Sequence, residues 1–124
     1  MEIKFKSDLI DKAEEYYKTL HLDPKQKPIV DSIVQILSQQ LPIPERALKG
    51  FMWRVVTDYQ MKRHMAASES EKLDPAERVK GLMEILTLLK EALTRILINQ
   101  EQEPLLDNAI SKVMKIYKEK YANR

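Results

Sequence analysis

The sequence predicts an all-α protein, a compact bundle of about five helices that follows a short N-terminal arm. Apolar residues recur at helical steps of three and four in five successive segments. Prolines and polar stretches mark the joints between these segments. With 124 residues the chain can bury a substantial core, so we expect a single helical-bundle domain over residues 1–124.

The first residues are expected to form the arm. Ile3 and Phe5 alternate with charged residues, which is the pattern of a short extended segment. The sequence offers no other strand-like segment to pair with it. We therefore expect the arm to bury these two side chains, either on its own domain or on a neighbouring molecule.

Local signals define the first two helices. The first begins at Ser7, which can act as an N-cap, and its apolar stripe ends near His21. The second begins at Pro28, because a proline there would disrupt a helix begun at Pro24. It ends before Pro42, where the backbone cannot continue as a helix.

The third and last helices also open on prolines. Pro44 suits the first position of the third helix, which is expected to run to about Ala67 and to be followed by a polar linker at 68–74. A break is expected at 100–103. Pro104 then opens the last helix, whose apolar stripe extends to Tyr121.

The fourth helix, Asp74–Asn99, has the clearest signature. Asp74 and Glu77 form a capping box around Pro75 at the first helical position. One apolar stripe follows, and a second set widens it around much of the cylinder. These two sets are Val79, Leu82, Leu86, Leu89, Leu93, Ile96 and Met83, Ile85, Leu88, Ala92, Leu97. Such a helix needs neighbours on at least two sides, so we expect it to be the core of the molecule.

The width of this apolar surface also suggests self-association. If the other helices do not close around the fourth helix, part of the second set will remain exposed as an association site. The residues concerned are Met83, Ile85, Leu88 and Ile98.

The sequence contains no evident catalytic, cofactor or metal site. There is no cysteine, and neither His21 nor His64 has a second histidine or a carboxylate at the spacing of a helical metal site. The glycines, Gly50 and Gly81, are isolated within predicted helices and cannot form a phosphate-binding loop. We therefore expect no enzymatic activity, no cofactor and no metal.

The carboxylates of the fourth helix have a simpler explanation than catalysis. Glu84 lies four residues after Lys80, and Glu91 lies four residues before Arg95. Residues at this spacing are neighbours on a helix surface, so solvated ion pairs are expected at both places.

Trp53 is the most unusual residue of the third helix, because it lies off the main apolar stripe and its helical neighbours are polar or small. Two interpretations remain open. Either the first or last helix covers the indole, or it is exposed as an anchor for a protein partner. If the indole is exposed, it serves either as this anchor or as a stacking surface beside Arg46, Lys49 and Arg54.

Basic residues are concentrated on the third and last helices, although the net charge is only +2. Lysines near a helix C-terminus complement the helix dipole, which is one sufficient explanation. The alternative is a joint patch that follows a nucleic-acid backbone. The candidate nucleic-acid contacts are Lys49, Arg54, Lys62, Arg63, Lys112 and Lys115.

These patterns favour a non-catalytic protein–protein interaction or structural subunit that self-associates through part of the fourth helix and the arm. The candidate interaction residues are Trp53, Lys49, Arg54, Leu88, Ile3 and Phe5. The alternative is a nucleic-acid-associated helical protein, such as a regulator or small subunit of a nucleoprotein complex. The N-terminus lacks the apolar core of a signal peptide and the fourth helix carries charges, so we expect a cytoplasmic protein without a membrane partner.

Overall fold

The structure, a computed structural model, describes residues 3–19, 27–66 and 75–122, and a helix is present in each of the five predicted segments. The predicted end of the first helix near His21, the predicted linker at 68–74 and the Asp74 cap lie outside the described residues. The helices are α1 (Ser7–Lys18), α2 (Lys27–Ser38), α3 (Glu45–Ala66), α4 (Pro75–Arg95) and α5 (Glu103–Ala122). A short 3-10 turn, Gln100–Gln102, precedes α5. The all-α fold class is confirmed.

The end of α4 differs from the prediction. The helix was expected to reach Asn99 but ends at Arg95, because the next residues leave the helix and pair with the arm. Phe5 and Leu97 form an isolated antiparallel bridge. The Lys6 amide donates to the Ile96 carbonyl at 2.8 Å, and the Ile98 amide donates to the Lys4 carbonyl at 3.1 Å. The arm therefore pairs with residues that had been predicted, from their apolar character, to belong to the fourth helix.

The arm packs on its own domain. Ile3 and Phe5 are both buried within the chain and belong to its hydrophobic core. The Lys4 amide also donates to the side-chain oxygen of Gln102, a buried residue, at 2.9 Å. Of the two possibilities for the arm, the structure shows the intramolecular one, so these two side chains offer no exposed surface to a second copy.

Four of the helices contact one another in a ring. The neighbouring pairs are α2–α3, α3–α4, α4–α5 and α5–α2, while α1 lies outside the ring against α3. Because α2 and α4 each contact both α3 and α5, the helices α3 and α5 occupy opposite corners. The helix with the most neighbours is α3, which contacts α1, α2 and α4. The expectation that α4 would be the central helix was wrong.

The predicted main stripe of α4 is nevertheless in the core. Leu82, Leu86, Leu89 and Leu93 are all buried, as the helical period required. The second apolar set is only partly covered, since Met83, Ile85 and Leu88 are half-buried against the core. Ile98, beyond the helix end, is 61% exposed.

Gly50 sets the contact between α1 and α3. A Cβ atom built on Gly50 would lie only 2.1 Å from the backbone oxygen of Ala13, so α1 rests directly on the backbone of α3. Trp53 follows one helical turn later on the same face of α3 and is only 4% exposed. Its indole is thus covered rather than exposed as an anchor. The polar residues around Trp53 in the sequence gave no indication that α1 would be a third neighbour of α3.

Polar contacts join adjacent corners of the ring. The Tyr117 hydroxyl of α5 lies 2.7 Å from the Ser32 hydroxyl of α2. The Lys90 ammonium of α4 lies 3.2 Å from Asp107 and 3.6 Å from Glu103. Its pKa is raised above the ordinary lysine value, chiefly by the side-chain hydrogen bond with Asp107. Exposed pairs of this kind contribute little stability, so they fix the pairing of helices more than they strengthen the fold.

The close helix contact predicts a difference between the two glycines. Gly50→Ala should lower the free energy of unfolding by about 1–3 kcal/mol, because the added methyl group meets backbone atoms that cannot move independently. Gly81→Ala is the control, since its methyl group would meet the outer end of the Tyr59 side chain, with the hydroxyl at 2.8 Å, and not a helix backbone. The control should be neutral or gain up to about 1 kcal/mol of helix propensity.

Urea denaturation, followed by the fluorescence of the single tryptophan and by circular dichroism, measures both values. Equal stabilities for Gly50→Ala and Gly81→Ala would contradict the direct packing of α1 on α3.

The burial of the main apolar stripe of α4 gives a second prediction. Leu89 is 0% exposed, so Leu89→Ala should cost about 2–5 kcal/mol of unfolding free energy through lost burial and the cavity left behind. Leu105→Ala on α5 is the matched control, because Leu105 is 45% exposed and should change stability by less than about 0.5 kcal/mol. Similar denaturation midpoints for the two variants would contradict the burial of Leu89 in the core.

Candidate functional site

A groove of about 720 Å³ runs between α1, α3 and α4. It exists because α1 and α4 both pack against α3 but are not packed extensively against each other. The space between them therefore stays open above one face of α3. The apolar residues that line the groove are Leu9, Phe51, Val55, Leu88, Ala92 and Ile96.

Leu88 is the apolar one of the two predicted interaction residues that the structure places in this groove, the other being Arg54. It is half-buried, and with Ala92 it continues the apolar side of α4 toward Ile96. Phe51 and Val55 provide the matching apolar surface on α3. The groove is thus an apolar depression on the surface of the bundle, lined in part by the second apolar set of α4.

Charged residues of both signs border this apolar surface. They are Lys12, Arg54, Asp58, Glu91 and Arg95. Among the described residues, none of the five takes part in an ion pair. The border therefore carries three cationic and two anionic groups without an ion pair among the described residues.

The expected ion pairs within α4 are not formed. Neither Glu84 with Lys80 nor Glu91 with Arg95 appears among the ion pairs of the described residues. An exposed pair at this spacing contributes only a few tenths of a kcal/mol, about 0.2–0.5, which does not offset the cost of ordering two long side chains. The prediction of these two pairs was wrong.

The side chains of Arg54 and Lys49 contact different parts of the protein, although both residues belong to α3. The Arg54 guanidinium lies 5.9 Å from the centre of the Tyr16 ring, and both residues line the groove. The Lys49 ammonium lies 3.8 Å from the Asp31 carboxylate of α2 and 5.9 Å from the Tyr17 ring centre. Only Arg54 is therefore part of the groove, while Lys49 is engaged within the fold.

The predicted basic patch is not assembled by the described residues. Lys112 and Lys115 are exposed on α5, which lies at the corner of the ring opposite α3. Lys112 borders a second depression of about 650 Å³ beside the arm, lined by Ile3, Gln40 and Asn108 among others. The joint surface of the third and last helices is therefore divided between two sides of the molecule.

Two candidate nucleic-acid contacts, Lys62 and Arg63, have side chains outside the described set, as does His64, and His21 lies outside the described residues altogether. In the remainder, no group of three or more histidine, aspartate or glutamate side chains is placed to hold a metal ion. No helix within the described ranges is long and apolar enough to cross a membrane.

Several lining residues were not anticipated as site residues. Leu9 and Tyr16 of α1 and Phe51 and Val55 of α3 belong to ordinary amphipathic stripes in the sequence. Only the position of α1 on α3, which depends on Gly50, turns these side chains toward a common groove. No pattern within a single helix could have identified them.

A scan against protein-family models and searches of curated proteins and of solved structures found no match to this chain. The groove and the charges around it are therefore the features that bear on function.

Proposed function

We propose that this protein is a non-catalytic helical interaction protein that binds a protein chain in the groove between α1, α3 and α4, and that it self-associates there. The observation that carries the proposal is the apolar surface of the groove, bordered by charged side chains that form no ion pair among the described residues. Protein interfaces have this composition, with an apolar centre that excludes water and a polar rim that fixes orientation.

The chemistry of the lining supports binding rather than catalysis. The described lining residues include no histidine, serine or threonine to act as a nucleophile or proton carrier. The two carboxylates, Asp58 and Glu91, belong to different helices and both are exposed. Apolar contact with Leu88 and its apolar neighbours is therefore the main interaction that this surface can form with a ligand.

The groove also accounts for the partial exposure of Leu88 on α4. Leu88 loses only part of its surface within the chain, so a partner that covers it gains roughly 25 cal/mol for each Å² of apolar surface removed from water. The exposure of Leu88 and of the neighbouring apolar lining is thus consistent with an association site.

The interaction proposal predicts that Leu88→Glu splits a homodimer while leaving the fold intact. A glutamate at a half-buried position can reach solvent in the monomer but introduces a charge into a closed interface. Sedimentation velocity over a range of protein concentrations should show dimerisation of the wild type and a shift toward monomer in the variant. Circular dichroism should show equal helix content.

Leu105→Glu is the matched control, because Leu105 is exposed on α5 and lies outside the groove. It should leave the monomer–dimer equilibrium unchanged. A wild type that remains monomeric at high concentration would count against self-association, and so would a Leu88→Glu protein that simply unfolds.

No observation on the described residues favours the nucleic-acid alternative over protein binding. Nucleic-acid binding depends on a continuous basic surface, whereas Lys49 is paired with Asp31 and the lysines of α5 lie on another side of the bundle. Salt dependence separates the two functions, because each phosphate contact releases counterions.

We therefore expect an oligonucleotide to bind only weakly at physiological salt and without sequence preference. Fluorescence anisotropy between low and physiological salt measures this binding. Tight binding that falls steeply with salt and is lost in Lys112→Gln/Lys115→Gln would favour the alternative and contradict the proposal.

A further inference from the structure

The proposed function leaves open which element of a second copy enters the groove and in which orientation, and this inference rests on that function. We infer that the occupant is α4 of a second copy, related by a two-fold axis and antiparallel to the first, so that Glu91 of each protomer lies opposite Arg95 of the partner subunit.

The signs of the groove charges favour a second copy as the partner. Three cationic and two anionic side chains border the groove, so the border is nearly neutral. A nucleic acid or a strongly acidic peptide would be matched by a border of one sign. A two-fold interface brings a surface against itself, and it is complementary only if both signs are present.

The spacing of charges on α4 favours the antiparallel arrangement. Glu91 and Arg95 are one turn apart, about 6 Å along the helix axis, and both line the groove. An antiparallel copy centred at the level of Leu93 exchanges their positions and forms two identical ion pairs. A parallel copy in register would place Glu91 against glutamate and Arg95 against arginine, which is repulsive.

The two flanks of α4 differ in a way that supports this interface. On the α5 side, Lys90 is already paired with Glu103 and Asp107 of the same chain. On the groove side, Glu91 and Arg95 have no ion pair among the described residues. The charged side chain of α4 on the α5 side is therefore ion-paired, whereas the two on the groove side are not paired among the described residues.

The apolar residues between these charges suit helix–helix contact. Leu88 and Ala92 lie on the same face as Glu91 and Arg95. The small Ala92 side chain allows two helices to approach closely, and Leu88 supplies apolar contact area beside it. The interface thus combines an apolar line with charges that select orientation.

Charge reversal tests the pairing. Glu91→Arg alone should weaken the homodimer about tenfold or more, because two attractive pairs become repulsive, and Arg95→Glu alone should do the same. An equimolar mixture of the two single variants should form a heterodimer with affinity near that of the wild type. The double variant Glu91→Arg/Arg95→Glu should recover the homodimer.

The mixture separates contacts between protomers from effects within the helix. Each single variant also creates like charges four residues apart in its own chain, and mixing does not remove that repulsion. Recovery on mixing therefore reports only on the interface. Glu84→Arg is the matched control, since Glu84 is exposed on α4 and outside the groove, and it should leave the dimer unchanged.

Sedimentation equilibrium of the full chain distinguishes the failures. A monomeric wild type would overturn self-association and this inference with it. A wild-type dimer that Leu88→Glu splits but that charge reversal leaves unchanged would preserve the proposed function and overturn the antiparallel α4 pairing. Recovery in the mixture and in the double variant supports the pairing.

Discussion

The close approach of α1 to α3 at Gly50 is the contact on which the rest of the surface depends. A side chain at this position would collide with the Ala13 carbonyl, so only a glycine lets the two helix backbones touch. This contact gives α3 its third neighbour and covers the face that carries Trp53. It also makes α1 one wall of the groove, with Leu9 at its edge. A larger residue would move that wall and change the groove without altering any of its other residues.

The arm fixes the other end of the same arrangement. Its bridge from Phe5 to Leu97 competes with continuation of α4, and the helix ends at Arg95. The bridge replaces hydrogen bonds that a longer α4 would have formed with hydrogen bonds to the arm backbone, so few backbone polar groups are left without a hydrogen-bond partner. Burial of Phe5 adds apolar area that a solvent-exposed helix end would not provide. Because α1 follows the arm directly, this bridge also determines where α1 begins relative to the groove.

The distribution of ion pairs differs between the two flanks of α4. Contacts such as Lys90 with Asp107 lie between neighbouring helices of the ring and are satisfied within the chain. Among the described residues, Glu91 and Arg95 form no such ion pair on the groove side, where α1 and α4 are not packed extensively against each other. Charges beside exposed apolar residues such as Leu88 contribute little to the stability of a monomer, and they select orientation when a partner excludes water.

The sequence by itself determined the number and positions of the helices and the buried stripe of α4, because these follow from residue spacing and from proline chemistry within one segment. Tertiary structure decided the rest. The central position of α3 and the burial of Trp53 depend on a helix remote in sequence packing over Gly50. The end of α4 depends on competition from the arm. The groove exists only where three helices meet, so local periodicity could propose Leu88 but could not supply the surface around it.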